Sequence, residues 1–407
     1  MTVTQPRSAF RRITDLEQWR KNQIAVTISG SCIFFGYWLV MPFLPIFVRQ
    51  LGVQSTAGVA FWSGVLLSSS PLVSSIAGPI WGRIGDRIGM RLMAQRSTAA
   101  NAVLWFAMGF SQNIYQFLAL RLLLGLLGGF NSVSVALITQ ACPREKVPQV
   151  IGTLQSVQIL VAAVAPFAGG VLAGTIGVRY TFFVTGIIML GSVFSVFFLY
   201  RDSEDDQTAA TAAKAAGGEK MHFWKRPEYL TTMLVLFFVN MADRTFGPIL
   251  PLFLEELGTP ASRLAVVSGA LISVAALGEA FSAWLSGRLA SRITLRRLIT
   301  GRLLLSILVL LPMIAVHSAG QFSILRFLLA LLAGGTLTLA LTAASHVIPP
   351  EHRGAGFGLL SSTSMFGNGA GPLISGALAG FSIRSVFVFN SVVYLLMIGF
   401  VYKNVKD

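Results

Sequence analysis

Asp243 and Glu279 are the two carboxylic acids that fall well inside long apolar runs of this sequence, and Arg121, Arg244 and Arg326 are the basic residues that do so. A charge at the centre of an apolar helix costs about 3 kcal/mol or more, so residues kept there are functional by default. Desolvation favours the neutral form of a carboxyl and a nearby guanidinium favours the charged form, a balance suited to taking up and releasing a proton. Asp243 and Arg244 are adjacent and point roughly 100° apart on a helix, so each is expected to find its partner on another helix. A purely structural salt bridge is the competing reading for Asp243, and a supporting role is the favoured one for Glu279. Arg121 stands about 10 Å from the end of its run at 1.5 Å per residue, close enough that snorkelling to the interface competes with a buried role.

These residues are carried by a chain that is 54% hydrophobic and only 12% charged, against about a quarter charged in soluble domains. That excludes a disordered chain and a soluble enzyme. The net charge of +15 would suggest nucleic acid in a soluble protein, but in a membrane protein the location of the charges matters more than their sum. Two cysteines exclude a disulfide framework and a cysteine zinc site, and the four histidines form no HExxH pair. No GxxxxGK[ST] loop and no nucleophile paired with a base stands out, so the expectation is a protein that is not an enzyme, with no cofactor and no metal.

A bilayer core about 30 Å thick needs roughly 20 apolar helical residues. Twelve runs qualify, at about 24–48, 58–80, 94–112, 114–139, 148–174, 179–200, 228–254, 263–287, 297–316, 321–347, 353–379 and 384–403. The first lacks a small-residue cleavage site and is expected to be an uncleaved span. With the N-terminus inside, 24 Lys and Arg fall on the inner side and four (Arg49, Arg179, Arg263, Arg384) on the outer. This places both termini in the cytoplasm. The expected organisation is a cytoplasmic segment 1–23, a six-span bundle 24–200, a polar Ala/Gly-rich linker 201–227 and a second bundle 228–407.

The two halves repeat at an offset of 205 to 206. Pro42 and Pro45 match Pro248 and Pro251, Ser63-Gly64 matches Ser268-Gly269, Gly82-Arg83 matches Gly287-Arg288, and LRLLLGLLGG around Arg121 matches LRFLLALLAGG around Arg326. PREKVPQVIG matches PPEHRGAGFG, and Ala165-Pro166 matches Gly371-Pro372. Two parallel repeats imply a binding site near midplane between them.

Three local patterns then resemble the major facilitator superfamily. GRIGDRIGMR (Gly82, Asp86, Arg87, Gly89, Arg91) is similar to the family's GxxxDRxGxR loop, in which the resemblance implies a cytoplasmic latch and the glycines a tight turn. Its repeat mate, GRLASRITLR, has Ser291 and Thr294 in place of the acid and a glycine. Arg121 before LLLGLLGG resembles the RxxxGxxxG run of the family's drug antiporters. Gly152, Ala165, Pro166, Gly169 and Gly170 of span 5, and Gly358, Gly367, Gly371, Pro372 and Gly376 of span 11, resemble the glycine series of exporting antiporters. Small residues let helices approach closely and proline bends them.

The resemblance implies an all-α membrane protein of twelve helices in two pseudo-symmetric six-helix bundles, of the twelve-span drug:proton antiporter group. It implies proton-driven export of amphipathic small molecules by alternating access from the bacterial inner membrane, by a monomer whose partners are the substrate, protons and the lipid bilayer, with no nucleic acid. Metabolite or siderophore export, or solute symport, is the alternative. In this fold spans 1, 4, 7 and 10 line the cavity and span 8 flanks it, so the resemblance implies proton coupling through Asp243, Glu279, Arg121 and Arg326. The mixed wall expected for substrate is Phe35, Tyr37, Trp38, Asn131, Gln155, Gln158, Asn240, Arg244, Phe246 and Asn368, lipid-facing packing being the competing reading for the aromatics. Several relatives place an acid in span 1, where this chain has Cys32, Gly36, Tyr37 and Trp38.

Overall fold

The computed structural model describes residues 17–130, 134, 137, 138, 146–201, 227–290, 292–347 and 353–404. Helices occupy each of the twelve apolar stretches, and among the described residues no strand occurs. Span 1 is Gln18–Val40 and Leu44–Gln50, joined by a 3-10 turn at Met41–Phe43. Spans 2 and 3 are Thr56–Ile88 and Met90–Met108, span 4 contains Ile114–Leu127, and spans 5 and 6 are Val147–Ile176 and Val178–Leu199. Span 7 is Pro227–Arg244 and Phe246–Glu256, broken at Thr245. Spans 8 to 12 are Ala261–Leu289, Leu295–Ile314, Ala319–Val347, Arg353–Ala379 and Ser385–Asn404. Among the described residues, nine helical stretches are long and apolar enough to cross a membrane, and Ile114–Leu127 is a shorter apolar helix. Prolines inside the helices, such as Pro79, Pro166, Pro312 and Pro372, are tolerated because neighbouring helices meet the backbone groups they free.

The structure departs from the expected runs in three places. Spans 1 and 7 are each interrupted near prolines that the repeat pairs, Pro42 and Pro45 against Pro248 and Pro251. Span 4 is not one continuous run, because its helix ends at Leu127 and Gly129 has a φ of +35°. The segment Gly82–Arg91 is not an open loop: span 2 stays helical to Ile88, and span 3 starts at Met90. Only Gly89, at φ +97°, makes the turn, a conformation that costs a side-chain-bearing residue and not glycine. Gly82 lies within the helix, exposed.

Span 2 packs on span 11 and span 5 on span 8, so each repeat lends two helices to a seam with the other. Both seams close at the face that carries the 51–55 and 257–260 connections. There Gly64 and Gly376 bring backbones so near that a Cβ on Gly376 would stand 2.6 Å from the Ala60 carbonyl oxygen and 3.1 Å from the Gly64 Cα. In the second seam a Cβ on Gly170 would stand 2.6 Å from the Ala265 carbonyl oxygen, and one on Gly269 3.2 Å from the Gly170 Cα. Pro166 prevents regular helical bonding around it, and the Phe167 N–H donates instead to Ser273 Oγ of span 8 at 3.0 Å.

Candidate functional site: an arginine shared by two acids

Asp243 is the last residue but one of the first helical piece of span 7, Glu279 sits in the middle of span 8, and Arg326 is on the second turn of span 10. The three meet. Arg326 Nη2 lies 3.5 Å from Asp243 Oδ1 and 3.8 Å from Glu279 Oε1. Arg326 is 12% exposed while the two acids are 40% and 36% exposed, so the guanidinium forms the floor and the carboxylates the accessible layer. Its other contact is apolar: the guanidinium lies over the Phe246 ring, 4.5 Å from the centroid, a weakly hydrated cation on an aromatic face. Glu279 is also backed by Gly334 of span 10, where a Cβ would stand 2.7 Å from the Glu279 Cα.

Arg244 is the second cation. It approaches its neighbour Asp243 only to 3.9 Å, as expected for adjacent helical residues. Its Nε donates to Asn368 Oδ1 of span 11 at 3.0 Å, and its guanidinium lies over the Trp38 ring of span 1 at 5.1 Å. Arg244 thus joins an amide of its own half to an indole of the other. Trp38 meets Tyr37 and Phe34 edge-on at 5.9 and 6.1 Å, and Tyr37 meets Trp105 at 6.4 Å. Span 1 therefore presents a chain of half-buried aromatics toward the cation.

The remaining expected wall residues divide. Phe35 is half-buried against the apolar core. Phe246 is 6% exposed beneath Arg326 and stacks on Phe387 at 6.0 Å, so it supports the site from behind. Asn240 spends its amide N–H on its own helix, on the Leu236 carbonyl at 2.8 Å. Gln155 is exposed and Gln158 half-buried on span 5, the latter near Gly30 of span 1. Asn131 lies outside the described residues, and nothing is described of the Asp86 side chain.

Arg121 does not join the acids. It is fully buried and donates from Nε to the Leu66 carbonyl at 2.9 Å and from Nη2 to the Leu67 carbonyl at 3.4 Å, both on span 2. It neither snorkels nor forms an ion pair among the described residues; it staples span 4 to span 2. Ser70 Oγ returns the link by donating to the Arg121 carbonyl at 2.6 Å.

The glycine series is close-packed in part. A Cβ on Gly367 would meet the span 7 carbonyl of Phe237 at 2.5 Å, and one on Gly371 would stand 3.0 Å from the Arg244 Cβ. Gly169 lies against the Leu39 backbone of span 1. Among the described residues, none comes within 4 Å of where a Cβ on Gly152 or Gly82 would stand, so neither shows a close helix approach there. Arg87 is exposed, and Arg91 is half-buried with its Nε unpartnered.

Sequence reasoning left two clusters out. Arg49 stands among the four basic residues of the expected outer side, yet its side chain meets that of Glu255 at 2.7 Å. Their opposite signs at one repeat offset were the available signal. Ser282 of span 8 accepts from Arg302 Nη1 of span 9 at 2.7 Å and from the Gly335 N–H of span 10 at 3.0 Å, and donates to the Leu331 carbonyl at 2.6 Å. Nothing in the spacing of those residues foretold it.

Known proteins place this arrangement. A model of the Major Facilitator Superfamily matches residues 26–319 and 232–406. Multidrug resistance protein MdtG of Escherichia coli is 35% identical over 379 residues, covering 93% of this chain and 92% of that protein. The MdtG proteins of Dickeya zeae and Yersinia enterocolitica are each 35% identical, over 382 and 381 residues, covering 93% of this chain and 93% and 91% of their own. Among solved structures, a bacterial homologue of the human lysosomal transporter Spinster superposes with a TM-score of 0.80 at 16% identity, covering 96% of this chain and 97% of that one. A D-xylose-proton symporter does so with 0.72 at 14% identity, covering 95% and 98%. With the repeat, the paired seams and the fold agreeing with a family match along nearly its whole length, this multi-pass membrane chain belongs to the major facilitator superfamily.

Proposed function

We propose that the chain is a proton-driven exporter of amphipathic small molecules, working by alternating access in the bacterial inner membrane. The reading has twelve crossings, both termini in the cytoplasm, and two six-span bundles (24–200 and 228–407) joined by a cytoplasmic linker. The observation that carries it is one guanidinium, Arg326, held between two partly exposed carboxylates on different spans. A proton arriving on either acid cancels that charge and leaves Arg326 to the other, so proton binding and the arrangement of spans 7, 8 and 10 are linked. Arg244, on Trp38 and Asn368, borders the same acids and gives a bound molecule an aromatic face and a polar edge. The MdtG relatives are named as multidrug resistance proteins, which supports drug-like amphipathic cargo for this chain.

The energetics suffice without ATP. A membrane potential of about 100 mV supplies about 2.3 kcal/mol per charge, and each pH unit about 1.36 kcal/mol per proton. In this reading the segment Gly82–Arg91 lies on the cytoplasmic side, and the Gly64/Gly376 and Gly170/Gly269 seams lie on the outer side. The close backbone contact at those seams then corresponds to a state shut outward.

The test uses inside-out vesicles with an acid lumen, a pH-sensitive dye, and lipophilic cations or neutral amphiphiles added outside. Wild type is expected to release lumenal protons when a carried compound is added, and Asp243→Asn to lose that response. A response that survives in Asp243→Asn removes Asp243 from the coupling and leaves Glu279. No response from well-folded wild type to any compound overturns drug antiport.

A further inference from the structure

Arg49 and Glu255 occupy the same position of the two repeats. They follow Phe47 and Phe253 by two residues and precede Gly52 and Gly258 by three, within the matching runs FVRQLG and FLEELG. Repeat-related residues can touch each other only where they lie on the pseudo-two-fold axis, as equivalent residues of a symmetric dimer do. These two touch: Arg49 Nη1 is 2.7 Å from Glu255 Oε1, with both side chains about one-third exposed. Identical residues on an axis would repel if charged. This chain carries one of each sign, which makes the axial contact attractive.

The neighbours are arranged so that this pair is left to itself. Glu256, one residue on, is taken by Arg384 of its own half. The repeat mate of Arg384 is Arg179, which donates to the carbonyls of Gly109 and Ser111 at 3.0 and 2.7 Å, since Gln50 stands where Glu256 does. Both arginines lie over matching rings, Arg179 over Phe47 and Arg384 over Phe253. Each half therefore pins the end of its own first span by an internal arginine. Among the described residues, Arg49–Glu255 is the ion pair that crosses between the halves.

We infer that Arg49 and Glu255 form an axial ionic latch on the outer face, which must open each time the transporter turns outward. The inference rests on the alternating-access reading above. The latch sits at the face where the Gly64/Gly376 and Gly170/Gly269 seams close. Separating the seams moves the ends of spans 1 and 7 apart, and that motion breaks a contact made only on the axis. The pair thus biases the resting population toward the outward-shut state.

Distance measurement between spin labels tests this without requiring transport. Labels are placed on cysteines at Gln54 and Ala261, exposed residues of opposite halves, in a Cys32→Ser/Cys142→Ser background reconstituted in lipid nanodiscs. Arg49→Glu and Glu255→Arg are each expected to raise the ratio of the long-distance to the short-distance population about fivefold, the size of effect expected when an exposed ion pair becomes a repulsion. Arg49→Gln, which removes attraction alone, is expected to shift the ratio less and in the same direction. The double exchange Arg49→Glu/Glu255→Arg restores the wild-type ratio. Unchanged distributions in both single reversals, or a double exchange that fails to restore them, overturn the latch. Two distance populations with no proton response in the vesicle assay would fault the coupling and leave the latch standing, whereas a single distance under every condition would fault alternating access itself.

Discussion

Under the proposed topology, Gly376→Ala should push the protein out of its outward-shut state. The added methyl meets three backbone atoms of span 2: the Ala60 carbonyl oxygen at 2.6 Å, the Gly64 Cα at 3.1 Å and the Phe61 Cα at 3.2 Å. None can swing aside as a side-chain tip would, so relief requires the seam between spans 2 and 11 to part. Overpacking of this kind costs about 1–3 kcal/mol. The helix preference of alanine over glycine, up to about 1 kcal/mol, acts equally with the seam open or shut and leaves the ratio alone. The shut-to-open ratio is therefore expected to fall about 5- to 150-fold. The assay is labelling of a cysteine at Asn240, whose amide N–H donates to the Leu236 carbonyl of its own helix, by a membrane-impermeant maleimide added to intact cells in a Cys32→Ser/Cys142→Ser background. Gly376→Ala should label at least about fivefold faster, and Gly170→Ala, which meets the Ala265 carbonyl oxygen at 2.6 Å, should behave alike. Gly152→Ala, with no described residue within 4 Å of the added methyl, should change nothing. Unchanged labelling in a well-folded Gly376→Ala, or an equal rise in Gly152→Ala, would refute the reasoning.

Two stability predictions follow from buried arginines. Ser282→Ala removes the acceptor shared by Arg302 Nη1 and the Gly335 N–H, leaving Nη1 the longer 3.4 Å contact to the Leu332 carbonyl, and should cost about 1–3 kcal/mol, read as a lowered thermal midpoint of purified protein in detergent; adding Arg302→Met should recover part of the loss. Arg121→Lys keeps the charge but loses the fork that reaches the Leu66 and Leu67 carbonyls, and it should cost about as much, an unchanged midpoint arguing against the staple.

The all-helical membrane fold was legible because membrane spans announce themselves: a long apolar run needs no tertiary context to be recognised, and the repeat supplied a second reading of its landmarks. Asp243, Glu279 and Arg326 were legible for the same reason, since a charge in an apolar run is conspicuous. What was not legible depends on which way a helix faces and where it breaks. The Gly82–Arg91 segment reads as a loop by its charges, yet continuous helical bonding carries span 2 through it to Ile88. Gly152 fits its motif by spacing but meets no described residue within 4 Å, whereas Gly170, in the same helix, is packed against span 8. Asn240 reads as a ligand by type, and its helix claims its amide. Spacing names a residue's helix; only the packing shows what the helix turns it toward.

The sharpest contrast lies between two arginines that spacing makes equivalent. Arg121 and Arg326 stand at the same place in spans 4 and 10, each opening a small-residue run. Arg326 finds two carboxylates and Arg121 two carbonyls. The cause lies in the partner positions. Tyr37 stands where the second repeat has Asp243, and Ser74 stands where it has Glu279. Ser74 donates to the Gly125 carbonyl at 2.9 Å, and Ser70 to the Arg121 carbonyl, so the first repeat fastens spans 2 and 4 with hydroxyl-to-backbone bonds that carry no net charge. A guanidinium bonded to carbonyls has no partner that a proton can neutralise, whereas one bonded to carboxylates does. Two arginines at equivalent positions thus become a staple to backbone carbonyls in one half and an ion-paired junction in the other, the one that the proposed function makes proton-sensitive. If the proposed proton coupling holds, its moving parts fall on spans 7, 8 and 10, whereas the bonds between spans 2 and 4 at the equivalent place involve no carboxylate.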